Sequence, residues 1–303
     1  PMDNAREISH MLQAADEQHA DLCVFPELCL CGYTCGDLLL HPPLLDGCRQ
    51  ALEMLLAAPV HTAFVVGLPL EIGGRLYNCA VAVCGGRILG VVPKEHLPNS
   101  GEFYERRWFE PGHSAPDTVV LCGQSVPVGQ NLVFDCRRFS FGVEICEDLW
   151  VPAPPSASLC MGGALLIANP SASNELVTKH RYRCELISQQ SARCLCGYVY
   201  AGAGYGESTT DLVFSGYAGV YENGRALAEN ERFARDNSFA VADVDMERLR
   251  FKRRQSRTFS DCAPEAVHII PFDLPEAHDE RLLRFVSPLP FVPAGAERDA
   301  RTE

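Results

Sequence analysis

Cys146 has the residue type and the surroundings of a candidate nucleophile. It ends an apolar run in the segment VEICEDLW, with Glu144, Glu147 and Asp148 close by in sequence. Neighbouring carboxylates disfavour a thiolate, so a reactive cysteine here needs a base that takes its proton during attack or a cation that offsets the negative field. The alternative is a buried cysteine that only packs.

Lysine is rare in this chain, which contains Lys94, Lys179 and Lys252 among 26 basic residues. A lysine kept among so many arginines indicates a place that needs a compact, tunable ammonium, unless the three survive by chance. Lys94 follows an apolar run and opens a loop of charged, glycine and aromatic residues, and such loops often carry function. Its ammonium could stabilise an oxyanion, and a surface salt bridge is the alternative.

Glu27 follows the short apolar run DLCVF and Pro26. This order places the carboxylate just beyond the carboxyl end of a strand, where open α/β sheets hold their ligands. A glutamate at such a position can instead cap the next helix.

Other motifs point to no further chemistry. Gly202, Gly204 and Gly206 form G-x-G-x-G, which lacks the third glycine spacing of the dinucleotide fingerprint. The sequence contains no Walker loop and no G-x-S-x-G elbow, and its histidines stand in no nucleophile motif. No Cys-x-x-Cys motif and no His/Cys pairing with zinc-finger spacing occurs, so the cysteines Cys23, Cys29, Cys31 and Cys35 are weak evidence for a metal, and none is predicted.

Composition excludes several classes of protein. The net charge of −13 disfavours a nucleic-acid surface, and no apolar run approaches the ~18 residues of a membrane span. Fifteen cysteines in 303 residues fall below the density of disulfide scaffolds. With no signal-like leader at Pro1, these features predict a soluble, cytoplasmic globular protein.

The elements that would position the candidates follow two similar series. In the first half, apolar spacing predicts helices over 4–19 and 45–56, and runs typical of strands end near Glu27 and Lys94. The strands FVVGL and NCAVAV lie between them, and a Gly-Gly turn predicts a hairpin before the last strand.

The second half repeats this order. The strand FSFGVEI ends at Cys146, and the strand ALLIA precedes a long helix over 174–194. The strand GYVYA then leads to a strand around LVFSGY and a hairpin at Asn223-Gly224. We interpret the two series as an internal pseudo-duplication in an α/β fold, and expect the first-half counterpart of FSFGVEI to lie before Pro1.

The end of the sequence changes in composition beyond about Leu249. It is first basic, in the segment FKRRQSR, and then rich in proline and alanine. An arginine cluster of this size usually forms a solvated face or a subunit contact. We therefore predict one domain over 1–285 and a linker over 286–303.

Four strings of the sequence resemble a known family. Glu27, Lys94 and Cys146 stand in the order of the Glu-Lys-Cys triad of the nitrilase superfamily of carbon-nitrogen hydrolases. Within it, FPELCLCGYTCGDL, LPNSGEFYERRWFEPG, CEDLW and GESTTDLVF resemble the glutaminase domain of glutamine-dependent NAD synthetases over nearly the whole chain. This resemblance implies an αββα two-sheet sandwich flanked by helices, which dimerises and often assembles further. Periodicity alone predicts only a mixed α/β fold.

The resemblance also implies roles for four residues. Cys146 would form a thioester with the side-chain carbonyl of L-glutamine, Glu27 would act as general base and Lys94 would stabilise the oxyanion. Glu105 would support them by orienting Lys94 or the attacking water. Chemically, a base beside the thiol removes the need for a standing thiolate among carboxylates.

Five positions fall in the substrate site of the family, and one of them departs from its pattern. Tyr33, Ser173 and Lys179 fall where relatives hold the α-amino and α-carboxylate groups of glutamine, and Glu147 is a further substrate-site position. Relatives have an aromatic residue where this chain has Ser100, so the resemblance implies a glutamine site that is looser or built differently there.

The resemblance implies a partner as well. In the family, a C-terminal synthetase domain uses ATP and magnesium at a Ser-Gly-Gly loop to convert deamido-NAD to NAD with the released ammonia. This sequence contains no such loop. The domain is therefore expected to need no cofactor of its own, to work beside a synthetase domain and to form homo-oligomers.

Three alternatives remain open at this point. The triad alone would also suit a free-standing nitrilase-type amidase acting on another small ω-amide, although the strings CEDLW and ESTTDLVF weigh against it. An inactive interaction module is disfavoured because all three triad positions are filled. A Cys-His hydrolase that uses His96 or His180 is the third alternative.

Overall fold

Two β-sheets with helices on their outer faces form this fold. The computed structural model describes residues 1–262, 266–275, 282–289 and 292. In this part of the chain no helix is long and apolar enough to cross a lipid bilayer. The helices are α1 (Met2–Glu17), α2 (Pro42–Leu56), α3 (Pro155–Met161), α4 (Lys179–Arg193), α5 (Met246–Gln255) and α6 (Arg257–Ser260).

The strands divide into two main sheets and a hairpin. The first sheet has the order β1 (Leu22–Val24), β2 (Ala63–Ile72), β3 (Arg75–Cys84) and β4 (Arg87–Pro93), and the hairpin consists of β5 (Thr118–Leu121) and β6 (Gln124–Pro127). The remaining strands are β7 (Leu132–Asp135), β8 (Ser140–Val143), β9 (Leu166–Ser171), β10 (Gly197–Gly202), β11 (Ala218–Glu222), β12 (Arg225–Glu229) and β13 (His268–Pro271). They form the second sheet in the order β12-β11-β10-β9-β8-β7-β13.

Alternating side chains along the strands decide what lies between the sheets. Along β2, Ala63 and Val65 pack in the core shared with the second sheet, whereas Phe64 and Val66 pack with α1 and α2. Small side chains on the inner face of the first sheet leave room for large ones such as Phe141 opposite. The sequence therefore buries both faces of β2, which explains its nearly continuous apolar run.

Helices cover the outer face of each sheet. Leu12 of α1 and Leu52 of α2 are fully buried against the first sheet. Leu159 of α3 and Ile187 of α4 are buried in the same way against the second. The four layers are helices, sheet, sheet and helices, so the αββα sandwich implied by the resemblance is confirmed.

The internal pseudo-duplication appears in the topology. The series β1-α2-β2-β3-β4 and β9-α4-β10-β11-β12 each contain one parallel strand pair followed by two antiparallel pairs. Both end in a two-residue hairpin with positive φ at each turn residue, Gly85-Gly86 in the first and Asn223-Gly224 in the second. The two halves thus share one scaffold.

The predicted helix over 174–194 begins five residues later, at Lys179. Asn174 and Glu175 use their side chains instead, because Asn174 hydrogen-bonds Lys179 and Glu175 pairs with buried Arg183. Thr178 then has a φ of 73°, which no right-handed helix accepts. Local side-chain contacts therefore hold the segment before α4 as an ordered loop.

The prediction of a strand around LVFSGY was wrong. In the segment 212–217, the Val213 carbonyl accepts from the Glu175 N–H at 2.7 Å, and the Phe214 N–H donates to the Ser208 hydroxyl at 3.0 Å. These backbone groups bind neighbouring loops, and the ladder begins only at Ala218. The apolar pattern marked burial of Phe214 and not a strand.

The basic segment after Leu249 is more ordered than the sequence suggested. It lies in α5 and α6, and Arg253 donates hydrogen bonds to the carbonyls of Cys160, Ala164 and Cys194. Further on, β13 adds to the edge of the second sheet. Of the predicted linker over 286–303, all but 286–289 and 292 lie outside the described residues.

Candidate active site

Glu27, Lys94 and Glu105 meet in the interior of the protein. The Lys94 Nζ lies 2.6 Å from Glu27 Oε1 and 2.7 Å from Glu105 Oε1, and none of the three residues is more than 2% exposed. Lys94 directly follows β4, and Glu27 follows β1 in the same sheet. One ammonium is therefore shared by two buried carboxylates.

Glycine at position 67 lets the Glu27 loop lie against the sheet. A Cβ at Gly67 of β2 would stand 2.2 Å from the Leu28 backbone nitrogen and 2.9 Å from the Glu27 carbonyl carbon. The Gly67 carbonyl also accepts from the Leu30 N–H at 3.1 Å. Close backbone contact of this kind needs glycine, and it fixes the depth at which Glu27 enters the site.

Glu105 is held by a hydroxyl as well as by the ammonium. The Tyr33 hydroxyl donates to Glu105 Oε1 at 2.7 Å. Asn78 of β3 lies between the carboxylates, donating to Glu27 Oε1 at 2.6 Å and to Glu105 Oε2 at 3.4 Å. Tyr33, predicted as a substrate residue, thus also supports the charged cluster.

The electrostatics of this cluster assign different protonation states to its members. Burial by itself would lower the pKa of Lys94, but the carboxylates of Glu105 and Glu27 outweigh it and hold that pKa well above its usual value. Burial raises the pKa of Glu105 to about 7, with Lys94 opposing the rise and Glu27 adding to it. Lys94 is therefore a permanent cation at neutral pH, suited to stabilise negative charge and not to act as a base.

Cys146 begins a short 3-10 turn after β8 and is 5% exposed. Its φ of 49° is unusual for a residue other than glycine, and its backbone N–H donates to Asn169 Oδ1 at 3.2 Å. Burial and the Glu27 charge raise the pKa of its thiol, whereas Lys94 and the Ala172 N–H lower it. The resting thiol is therefore neutral and needs a base during attack.

The histidines of the Cys-His alternative contact other groups. His96 Nδ1 lies 2.9 Å from Asp148 Oδ1, and this hydrogen bond raises the pKa of His96. His180 packs edge-on against the Tyr217 ring, 4.8 Å between centroids. The charges that act on the Cys146 thiol come first from Glu27 and Lys94, which favours the Glu-Lys-Cys arrangement.

Lys179 lies between two aromatic rings. Its Nζ is 5.6 Å from the Phe103 ring centroid and 5.4 Å from that of Trp150, and it hydrogen-bonds Asn174. Burial and the Arg183 charge lower the pKa of Lys179, whereas the carboxylates of Glu102 and Glu147 oppose that shift. Aromatic faces and partial burial leave this ammonium ready to bind a carboxylate.

The other predicted substrate residues differ in their surroundings. Ser173 is buried in the loop after β9, where its carbonyl accepts from Arg183 at 3.4 Å. Glu147 is half-buried beside Cys146, and burial raises the pKa of its carboxyl, opposed by Lys94 and Lys179.

Ser100 is exposed in the turn that leads to Phe103, whose N–H donates to the Ser100 carbonyl at 3.1 Å. Phe103 packs edge-on against Tyr33 and lies near Lys179. Phe103 therefore places an aromatic side chain beside Tyr33 and Lys179, three residues after Ser100, where the family pattern has its aromatic residue.

One cluster in the described part of the chain brings metal-ligating atoms together, namely His180, Cys184 and Glu229. The Tyr217 hydroxyl donates to Glu229 at 2.6 Å and accepts from the Cys184 thiol at 3.5 Å. Hydrogen bonds thus link these groups to one another. The expectation that the domain uses no metal stays a prediction.

Comparison with known proteins assigns the family. The sequence model of the family described as carbon-nitrogen hydrolase matches residues 1–254. The chain belongs to the carbon-nitrogen hydrolase family. It is 44% identical over 310 residues to the glutamine-dependent NAD(+) synthetase of Mycobacterium tuberculosis, covering 98% of this chain and 46% of that protein. This carbon-nitrogen hydrolase domain thus spans about half the length of that relative, and the resemblance inferred from the four strings is confirmed.

Solved structures agree with this assignment. A glutamine-dependent NAD(+) synthetase from Cytophaga hutchinsonii is similar with a TM-score of 0.72 and 28% identity, over 80% of this chain and 40% of that one. A carbon-nitrogen hydrolase from Helicobacter pylori has a TM-score of 0.68 at 18% identity, over 86% and 90% of the two chains. The second likeness shows the fold alone, a nitrilase-type sandwich.

Sequence reasoning missed three residues of this carbon-nitrogen hydrolase site, Asn78, Asn169 and Phe103. Asn78 and Asn169 are polar side chains inside apolar strands, and both are at most 1% exposed. The sequence contained a signal for both, namely an asparagine within the apolar strings NCAVAV and ALLIANP. A buried amide requires hydrogen-bond partners, so such an asparagine indicates a polar site. Phe103 gave no such signal.

Proposed function

We propose that this carbon-nitrogen hydrolase domain hydrolyses the side-chain amide of L-glutamine to glutamate and ammonia. The observation that carries the proposal is a permanently charged Lys94 held between Glu27 and Glu105, beside the neutral, buried thiol of Cys146. This set contains a nucleophile, a base and a cation for the oxyanion. The similarity to glutamine-dependent NAD(+) synthetases supports glutamine as the substrate.

In the acylation step, the Cys146 sulfur attacks the side-chain carbonyl carbon while Glu27 takes the thiol proton. The carbonyl oxygen becomes negative and is stabilised by the Lys94 ammonium, which is preorganised and desolvated. The carbon-nitrogen bond then breaks, and Glu27 returns the proton to the leaving nitrogen. The products are ammonia and a thioester on Cys146.

In the deacylation step, water attacks the thioester carbonyl while Glu27 accepts a proton from it. Lys94 stabilises the second oxyanion, and the carbon-sulfur bond breaks with return of a proton to Cys146. Glutamate leaves. Glu105 acts by holding Lys94 in place, because its Oε1 accepts from both the Lys94 ammonium and the Tyr33 hydroxyl.

The charged groups of glutamine match two residues of opposite charge near the triad. Lys179 would bind the α-carboxylate, and Glu147 would bind the α-ammonium, each opposite in charge to its partner. Ser173 and Tyr33 would border the glutamine chain. Ser100 would contribute least, since it is exposed.

The proposal extends to a longer assembly. The relatives are about twice as long as this chain, and a C-terminal synthetase domain would use the ammonia to convert deamido-NAD to NAD. ATP and magnesium would belong to that domain and take part in no step above. Homo-oligomers built from nitrilase-type dimers and a cytoplasmic location complete the proposal.

The test measures glutamate release from glutamine by the wild-type protein and by Cys146→Ala, with a synthetase domain supplied in a parallel sample. Asparagine and simple ω-amides compete as substrates, and Cys262→Ala, at an exposed cysteine, is the matched control. We expect glutamine-selective turnover that Cys146→Ala lowers by ~10⁴-fold or more and Cys262→Ala leaves unchanged. Full activity in Cys146→Ala would refute the nucleophile, and preference for another amide would indicate a free-standing amidase.

A further inference from the structure

A buried chain of hydrogen bonds runs behind Cys146 to a carboxylate that the proposed mechanism does not use. Asn169 Oδ1 accepts from the Cys146 N–H at 3.2 Å and from the Ser171 hydroxyl at 2.5 Å. Asn169 Nδ2 donates to the Tyr198 hydroxyl at 2.8 Å, and that hydroxyl donates to Glu144 Oε1 at 2.5 Å. Cys146 is 5% exposed and the other members are at most 1% exposed.

The hydrogen bonds of this buried chain run in one donor-to-acceptor direction, which Glu144 fixes. The other carboxylate oxygen, Oε2, accepts from the Ser156 N–H at 2.8 Å, so above about pH 7, where Glu144 is ionised, this residue is an acceptor at both oxygens. The Tyr198 hydroxyl must then give its proton to Glu144 and offer a lone pair to Asn169. This leaves only the amide nitrogen of Asn169 to face Tyr198, and its oxygen to face Cys146.

The nucleophile needs such a constraint. At a φ of 49°, Cys146 occupies a backbone region that costs free energy for a residue with a Cβ. An acceptor that faces its N–H stabilises this conformation, whereas a flipped Asn169 amide would oppose one donor with another. The orientation of one buried amide therefore decides whether the strained turn, and with it the direction of the sulfur, is held.

We propose that Glu144 and Tyr198 are positioning residues that act through Asn169 to fix the backbone of the nucleophile Cys146. They touch neither the substrate nor the sulfur. Their effect on turnover rests on the proposed function, but their effect on the reactivity of Cys146 does not.

Two single variants interrupt this series of hydrogen bonds at different residues. Tyr198→Phe removes the acceptor of Asn169 Nδ2, and Glu144→Gln supplies an amide that can donate to Tyr198 and so reverse the direction. In both cases the flipped Asn169 becomes competitive, because Nδ2 can then donate to the Ser171 hydroxyl. A matched control is Ser191→Ala, which removes another buried hydroxyl that donates to the Cys196 carbonyl at 2.7 Å and accepts from the Gly224 N–H at 3.2 Å.

The double variant Glu144→Met/Tyr198→Phe separates positioning from stability. Relative to Tyr198→Phe alone, the added Glu144→Met removes a buried carboxylate that has lost its donor, so thermal stability should recover part of what the single variant loses, although the Ser156 N–H and Asn169 Nδ2 are left without acceptors. Asn169 still lacks its orienting partner. A merely structural role predicts recovery of activity together with stability, and a positioning role predicts that activity stays low.

The experiment uses the intact protein and measures alkylation of Cys146 by iodoacetamide, followed by mass spectrometry, beside kcat and KM for glutamine. We expect both single variants and the double variant to lose at least ~10-fold in alkylation rate and in kcat, about the effect of one misdirected hydrogen bond, with KM within about twofold of wild type. Ser191→Ala should match wild type in both.

Recovery of alkylation in the double variant, or unchanged alkylation in the single variants, would overturn the inference. If wild type were alkylated normally and the variants slowly while no protein hydrolysed glutamine, the positioning roles would stand and the proposed function would fail.

Discussion

The two halves of this domain use one scaffold for different purposes. The series β1-α2-β2-β3-β4 contributes the charged groups Glu27 and Lys94. The series β9-α4-β10-β11-β12 contributes Asn169 and Tyr198, whose hydrogen bonds lead to the backbone of Cys146. Under the proposed function, the first half supplies the charged groups of the reaction, and the second half orients the backbone of Cys146.

This difference predicts how substitutions in each half should affect stability and activity. A buried ammonium shared by two carboxylates is stable only as a set, since removal of the cation leaves like charges together. When the hydrogen bonds behind Cys146 are altered, the protein can instead stay folded while the Asn169 amide loses its fixed orientation. Substitutions in the first half should therefore affect stability and activity together, whereas suitable substitutions in the second half separate them.

The largest effect is expected for Lys94→Met. The variant leaves two carboxylates buried without their cation, which should lower the free energy of unfolding by ~3–5 kcal/mol and turnover by at least ~10²-fold. Because protonation relieves the repulsion, the loss of stability should be smaller at pH 5 than at pH 8. Thermal melts at both pH values and glutamate release measure these effects.

Two controls accompany that variant. Lys252→Met, in α5, should change neither quantity, since Lys252 lies outside the charged cluster. Adding Glu105→Gln to Lys94→Met should restore part of the stability and none of the turnover. Equal stability of Lys94→Met and wild type would contradict the view that the three charges form one set.

An intermediate effect is expected for Gly67→Ala. The added Cβ would stand 2.2 Å from the Leu28 nitrogen, so the Glu27 loop must move away from β2. Displacing Glu27, the proposed general base, by a fraction of an ångström should lower kcat by about 10- to 100-fold while alkylation of Cys146 by iodoacetamide changes little. Gly204→Ala is the matched control, because a Cβ there meets open space. A kcat within twofold of wild type would show that the contact does not set the position of Glu27.

The smallest effect is expected in the pH dependence of stability and comes from Glu144, which is linked to Asn169 and Tyr198 of the second half. Burial raises the pKa of Glu144 to about 7 from an ordinary 4.5, opposed by hydrogen bonds from Tyr198 and Ser156, with Asp148 adding to the rise. The folded state then holds this proton more tightly than the unfolded state between those two pH values. Wild type should therefore lose stability relative to Glu144→Gln as pH rises from about 4.5 to about 7, which paired thermal melts can measure. A difference independent of pH would refute the raised pKa.

Much of the architecture could be predicted because short sequence patterns determine where strands and turns form. Apolar runs located the strands that precede Glu27 and Lys94, and turn residues located both hairpins. Errors arose where side chains replaced backbone hydrogen bonds, as in the loop before α4 and in the segment around Phe214. The competing partners have no fixed spacing in the sequence, since the Ser208 hydroxyl is six residues from Phe214 and the Glu175 N–H is 38 residues from Val213.

The sequence by itself determined the identity and order of the reactive residue types, the two similar series of elements and the family resemblance. Only the tertiary structure decided that Lys94 is shared by Glu27 and Glu105, that Asn78 lies between them and that Asn169 holds the Cys146 backbone. The physical reason is distance. These contacts join residues that are 11 to 67 positions apart in the sequence, and hydrogen bonding and charge act over a few ångströms in space, whatever the separation along the chain.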